Sequence, residues 1–123
     1  MLLPATSPQT HSLECVRIDD HAESHKWTAV PGTAVGTLLD QEAAELLDVV
    51  ASIPTGDVMR CFMPGYGIRA RSADGLILFE IAFCFQCNNA LVLQPEPHKR
   101  QDLVGFKVDS RRGQELLARF RAF

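Results

Sequence analysis

The dipeptide Asp74-Gly75 constrains the fold of this chain more than any other pair of neighbours. Asp-Gly is the strongest short signal for a tight hairpin, because both central positions of such a turn need positive φ. The flanking segments, GIRARSA (67–73) and LILFEIAF (76–83), alternate as paired strands do. If Asp74 and Gly75 alone form the loop, Ala73 pairs with Leu76. Ile68 then faces Ile81, Arg69 faces Glu80 and Ala70 faces Phe79. One face of the hairpin carries Ile68, Ala70, Ile77, Phe79, Ile81, Phe83 and Phe85, and has to be buried. The other carries Arg69, Arg71, Glu80, Ala82 and Cys84, and reads as a solvated face with an ion pair between Arg69 and Glu80. A slip of one residue would set Ile68 against Glu80, so the pattern selects the first register.

Two helices flank this hairpin. Asp40 is a suitable N-cap and Glu42 puts negative charge in the first turn, where the helix dipole favours it. Ala43, Leu46, Leu47 and Val50 follow helical spacing, and Pro54 and Gly56 end the segment. A closing helix starts near Ser110, with Leu116, Leu117, Phe120 and Phe123 inward and Gly113 as a weak point in its first turn. Shorter strands are expected at 14–18 (ECVRI), 90–94 and 103–108 (LVGFKV). Residues 19–37 read as an irregular connection with a short strand near 27–30, and 95–102 as a polar loop. The fold class that follows is α+β. An antiparallel sheet of about four to six strands surrounds the central hairpin (67–73/76–85), with helices at about 40–53 and 110–122 packed on one face. Residues 1–12 read as a flexible tail and 13–123 as a single domain.

The chain has 123 residues, 46% of them hydrophobic and 22% charged, enough to bury a core without metal or disulfides. The apolar run 76–85 is broken by Glu80 and is too short to span a bilayer, and no secretory signal is visible at the N-terminus. A cytoplasmic location is the expectation from these features. Net charge is −3, yet residues 98–123 carry seven basic side chains against three acidic ones. With no nucleic-acid motif and no aromatics among the basic residues, this reads as a solvated helix face, and nucleic acid is not an expected partner. A free edge at 14–18 or 103–108 would support a dimer; otherwise the chain reads as a monomer.

The four cysteines hold what chemistry the sequence offers. Cys84-x-x-Cys87 closes the second hairpin strand and is followed by Asn88 and Asn89, both turn residues. Extending the register past Pro64, Gly65 and Gly67 sets Cys61 opposite residue 88, so Cys61, Cys84 and Cys87 gather at one end of the hairpin. Three readings are open. The thiols pack or form a disulfide. Or they hold zinc, with Cys15, His98, His21 or His25 as the fourth ligand, although no spacing selects among these. Or Cys84 and Cys87 form a redox pair with Cys61 as resolving thiol, against which stands the lack of a following helix to lower a thiol pKa. The segments His21 to His25 and PGYG (64–67) read as a solvated turn and a strand bend. Tyr66 either places its hydroxyl near the thiols or packs.

CFMPGYGIRA (61–70) followed by ILFEIAFCFQCNNALV (77–92) resembles a pattern in a family of small uncharacterised bacterial proteins with no known activity. The pattern runs Cys, apolar, Pro, an aromatic or His before Gly, a strand with Arg, then C-F-x-C on the next strand. It covers about residues 58–94, and Tyr66 stands where His is common in the group. The resemblance implies that Cys61, Cys84 and Cys87 act as a set. Members of the group that look secreted or lipid-anchored run against a cytoplasmic location. The functional expectation is a small non-enzymatic binding or accessory domain with a structural cysteine cluster and zinc as its candidate cofactor. The alternative is a thiol-dependent redox protein.

Overall fold

The structure is a computed structural model that describes residues 1–95, 99–100 and 103–123. Its strands are β1 (Ser12–Arg17), β2 (Thr33–Leu39), β3 (Tyr66–Arg71), β4 (Ile77–Cys84), β5 (Asn89–Gln94), β6 (Lys99–Arg100) and β7 (Val104–Gly105). Its helices are α1 (Asp40–Ser52) and α2 (Arg111–Arg121). The strands form one open antiparallel sheet in the order β2-β1-β3-β4-β5-β6, with β7 pairing the same outer edge of β5. The fold is α+β, as the order of elements implies.

The central hairpin has the expected register but a different turn. Gly75 N–H donates to Ser72 O and Ser72 N–H to Leu76 O, each at 2.9 Å, so the loop is Ala73, Asp74 and Gly75. Gly75 carries φ 82°, which a side chain would strain. Arg71 then pairs with Ile77, and Leu78 bulges out before Ala70 meets Phe79. The extra loop residue and the extra strand residue cancel. Arg69 therefore faces Glu80 and Ile68 faces Ile81. Leu78, not Ile77, packs on the core near the turn.

Both helices lie on the sheet face that carries Leu13, Cys15, Ile68, Phe79, Ile81, Phe83 and Val92. α1 contributes Ala43, Leu46, Leu47 and Val50, and α2 contributes Leu116 and Phe120. Each fully buried Leu or Phe side chain is worth roughly 1.5–3 kcal/mol of transfer free energy. Tyr66 stacks on Phe120, ring centroids 5.1 Å apart, and so joins this core. Asp40 does not cap α1. It has φ 49° at the strand-to-helix corner and its carboxylate lies 3.1 Å from His11 Nδ1. Ser110 does cap α2, accepting from Gly113 N–H at 3.0 Å. Gly113 is required there, because a Cβ would sit 2.5 Å from Lys107 O.

Further expectations for the sheet are corrected. The strand at 14–18 is not an edge: β1 pairs with β2 on one side and β3 on the other. The edge is β2, inside the segment read as irregular connection, where TAVGTLL shows no period-2 pattern because a bulge lies opposite Cys15 and Val16. The second hairpin face is not solvated. Val16, Ala82, Leu91 and Leu93 on the sheet are covered by Ile18 and Val30, with Trp27, Phe62 and Leu103 packed around them. Residues 1–11 lie against the domain, with Met1 and Pro4 buried and Leu3 on the core. Among the described residues no helix is long and apolar enough to cross a membrane.

Candidate functional site

β4 and β5 are joined by a turn at residues 85–88, in which Asn88 takes φ 55°. This turn presents Cys87 beside the irregular segment 53–65, and Cys61 of that segment forms a disulfide with Cys87. The segment is held at several further points. Thr55 bridges Phe106, Gly56 N–H donates to Gly105 O at 3.1 Å, and Lys107 N–H donates to Pro54 O at 3.0 Å. Asn89 Nδ2 donates to Met59 O at 2.9 Å and to Cys61 O at 2.8 Å. Met63 N–H donates to Cys84 Sγ at 3.4 Å, and Ile18 N–H to Gly65 O at 2.9 Å. A stretch with no regular secondary structure is thereby anchored by backbone hydrogen bonds on both sides of the disulfide.

Among the side chains that this segment exposes, three large apolar ones stand beside Thr55, Asp57 and Arg60. Val58 is 54% exposed, Met59 45% and Met63 44%, while Phe62 turns inward to meet Trp27 edge-to-face at 6.4 Å. Met59 also lines an open cleft of about 670 Å³ with Gly56, Asp57, Asn88, Phe106 and Lys107. Single exposed apolar residues are ordinary; here three fall within six positions of one anchored loop.

The structure brings two of the three expected cysteines into bonding contact and leaves Cys84 as a buried free thiol beneath Met63. Cys15, the other free thiol, is buried on the helix-covered face, whereas Cys84 follows Glu80 and Ala82 on the opposite face. Burial pushes the Cys15 thiol pKa up to about 11. His21 and His25 are exposed on the 18–32 connection, and His98 lies outside the described residues. Among the described residues no three His, Cys, Asp or Glu side chains converge as metal ligands.

A second cluster lies on the same face of the sheet. Glu14, Arg69 and Glu80 are direct cross-strand neighbours on β1, β3 and β4. Arg69 Nη1 is 3.2 Å from Glu14 and Arg69 Nε is 3.2 Å from Glu80. Arg71 reaches Glu14 at 3.8 Å. The 18–32 connection closes over this row. Val30 N–H donates to Glu80 Oε1 at 3.3 Å, and Arg69 Nη2 donates to Val30 O at 2.8 Å. The ion pair read from the sequence is present, but in a buried setting. Desolvation raises the Glu80 pKa above the ordinary carboxyl value, against the opposing pull of the Val30 amide, Arg69 and Arg71.

Asn89 is the residue that sequence reasoning assigned to a turn and the structure assigns to the site. It is the first residue of β5 and is fully buried. The available signal was a polar residue opening an otherwise apolar strand, NALVL. Comparison with protein-family models, curated proteins and solved structures finds no match to this chain.

Proposed function

We propose that this is a small non-enzymatic binding domain whose recognition surface is the stapled loop carrying Val58, Met59 and Met63. The observation that carries the reading is their exposure on a segment anchored by one disulfide and by the Asn89 clamp. A loop fixed in advance loses little conformational entropy on binding, and methionine side chains adapt to irregular apolar partners. The cleft beside Met59 is lined by Asp57, Lys107, Asp109 and Gln114 as well as Phe106, so a partner seated there carries polar groups beside its apolar ones. The disulfide favours an oxidising compartment over the cytoplasm. A zinc role for Cys61, Cys84 and Cys87 would require that bond to open and further donors to approach. The binding reading needs no metal.

Peptide-display selection tests this reading. Apolar peptides enriched on the native protein should lose binding to a V58S/M59S/M63S variant that retains the native unfolding free energy to within the effect of surface substitutions, about 0.5 kcal/mol. Enriched peptides that bind the variant equally well would remove this surface from consideration.

One observation favours a thiol–disulfide exchange reading, the internal step of a thiol-dependent redox protein: Cys84 lies beside the disulfide segment with an N–H donor on its sulfur. In that reading a local opening exposes the buried Cys84 thiol, which loses its proton to solvent, and the thiolate attacks Cys87 Sγ. A Cys84–Cys87 bond forms, the Cys61–Cys87 bond breaks, and Cys61 leaves as thiolate to be protonated. The exchange needs no external oxidant.

A further inference from the structure

The two edges of the sheet differ in how they are guarded. At one edge β5 is followed outward by β6 and β7, two residues each, with Lys99 and Arg100 forming β6. Very short strands are a usual protection against edge-to-edge pairing. At the other edge stands β2, seven residues long, Thr33-Ala-Val-Gly-Thr-Leu-Leu39, with no charged residue and no proline. Among the described residues nothing pairs with its outer side.

The register shows which groups are free. Asp40 N–H donates inward to His11 O at 2.9 Å, while His11 N–H donates to Arg71 O on the β3 side at 2.8 Å. Antiparallel pairs alternate, which points Leu38 inward at Leu13 and turns the backbone N–H and C=O of Thr37 and Leu39 outward. Two donors and two acceptors at alternate residues are self-complementary about a two-fold axis through Leu38. Thr37 of one copy would exchange both bonds with Leu39 of the other, and the reverse.

The side chains agree with that axis. Leu39 is 54% exposed and would be covered by Thr37 of the second copy. Leu38 lies on the helix side, where it lines an apolar cleft of about 160 Å³ with Leu46, Ala122 and Phe123. The Phe123 ring lies over Gly36, close enough that a Cβ there would meet it at 2.4 Å. A two-fold through Leu38 sets the two Leu38 side chains next to each other and joins the two clefts. Two charges flank the axis among the described residues: Asp40, held by His11 in its own copy, and Arg119, which also lines the cleft and is paired with Glu115 at 3.5 Å.

From this we infer that a second copy of this chain pairs on β2, antiparallel about Leu38, extending the sheet across both molecules. This surface is separate from the stapled loop and independent of the proposed function.

Sedimentation equilibrium over a wide concentration range, together with amide hydrogen exchange, tests the inference. The native protein should reach twice the chain mass as concentration rises, and the Thr37 and Leu39 amides should become protected in step. T37P removes an outward N–H without breaking the ladder to β1, and should return the protein to chain mass with an unchanged circular dichroism spectrum. L39K should do the same by charge. A native protein that stays at chain mass would overturn the inference and leave β2 to a strand from another protein. A dimer in which Thr37 and Leu39 exchange at the dilute rate would also overturn it, whatever the folding of the variants.

Discussion

Cys61 is bonded to Cys87, one position from the residue that the hairpin register sets opposite it, although the intervening chain bends through Pro64 and Gly65. The bond closes a loop of sequence separation 26 that contains β3 and β4. Constraining a loop of that length in the unfolded chain stabilises the fold by about 3.5 kcal/mol. The double variant C61A/C87A should lower the urea midpoint accordingly while keeping the helix content, because both helices pack on the other sheet face. An unchanged midpoint would mean that the bond does not constrain this chain.

Asn89 should matter nearly as much as the disulfide to the loop itself. Asn89→Ala removes two hydrogen bonds and strands the Met59 and Cys61 carbonyls. Leaving such groups unpaired costs about 1–3 kcal/mol. Hydrogen exchange should quicken across residues 58–63 before it does in β3 or β4. Uniform acceleration through the sheet would show that Asn89 serves global stability and does not clamp the loop.

Glu80 gives the fold a pH dependence with a definite sign. A carboxyl whose pKa is raised in the folded state binds its proton more tightly folded than unfolded. Stability therefore falls as pH rises from the ordinary carboxyl value of 4.5 to the raised one, and is level above it. Glu80→Gln cannot titrate. Its melting temperature relative to the native protein should rise across that window. A relative fall with increasing pH would show that Arg69 outweighs desolvation. Removing the cation instead, by Arg69→Met, leaves Glu80 buried and unpaired and should cost about 3–5 kcal/mol.

Much of this was legible in the chain. Hydrophobic alternation located the central hairpin and its facing pairs, since a one-residue slip would have buried Glu80 against Ile68. Helical spacing located α1 and α2 because each buries a single stripe. The gathering of Cys61 with Cys87 followed from the same register. What stayed hidden was non-local. The 18–32 connection covers the Arg69 face through Val30, a contact between segments 39 residues apart that leaves no period in the sequence. β2 was missed because a bulge breaks its alternation. Asn-Asn is ordinary turn chemistry, which hides the role of Asn89, since its clamp depends on a loop nearly 30 residues away.

Peptide mapping of the native protein without reduction, with alkylation of free thiols in denaturant, tests most directly whether a covalent bond holds the apolar loop. The account predicts one cross-linked peptide joining Cys61 to Cys87, with Cys15 and Cys84 alkylated only after unfolding. The Cys15 thiol, its pKa pushed up to about 11, should resist alkylation at neutral pH in the folded protein. A Cys84–Cys87 cross-link would support the exchange reading, and four alkylated cysteines would contradict the stapled loop outright.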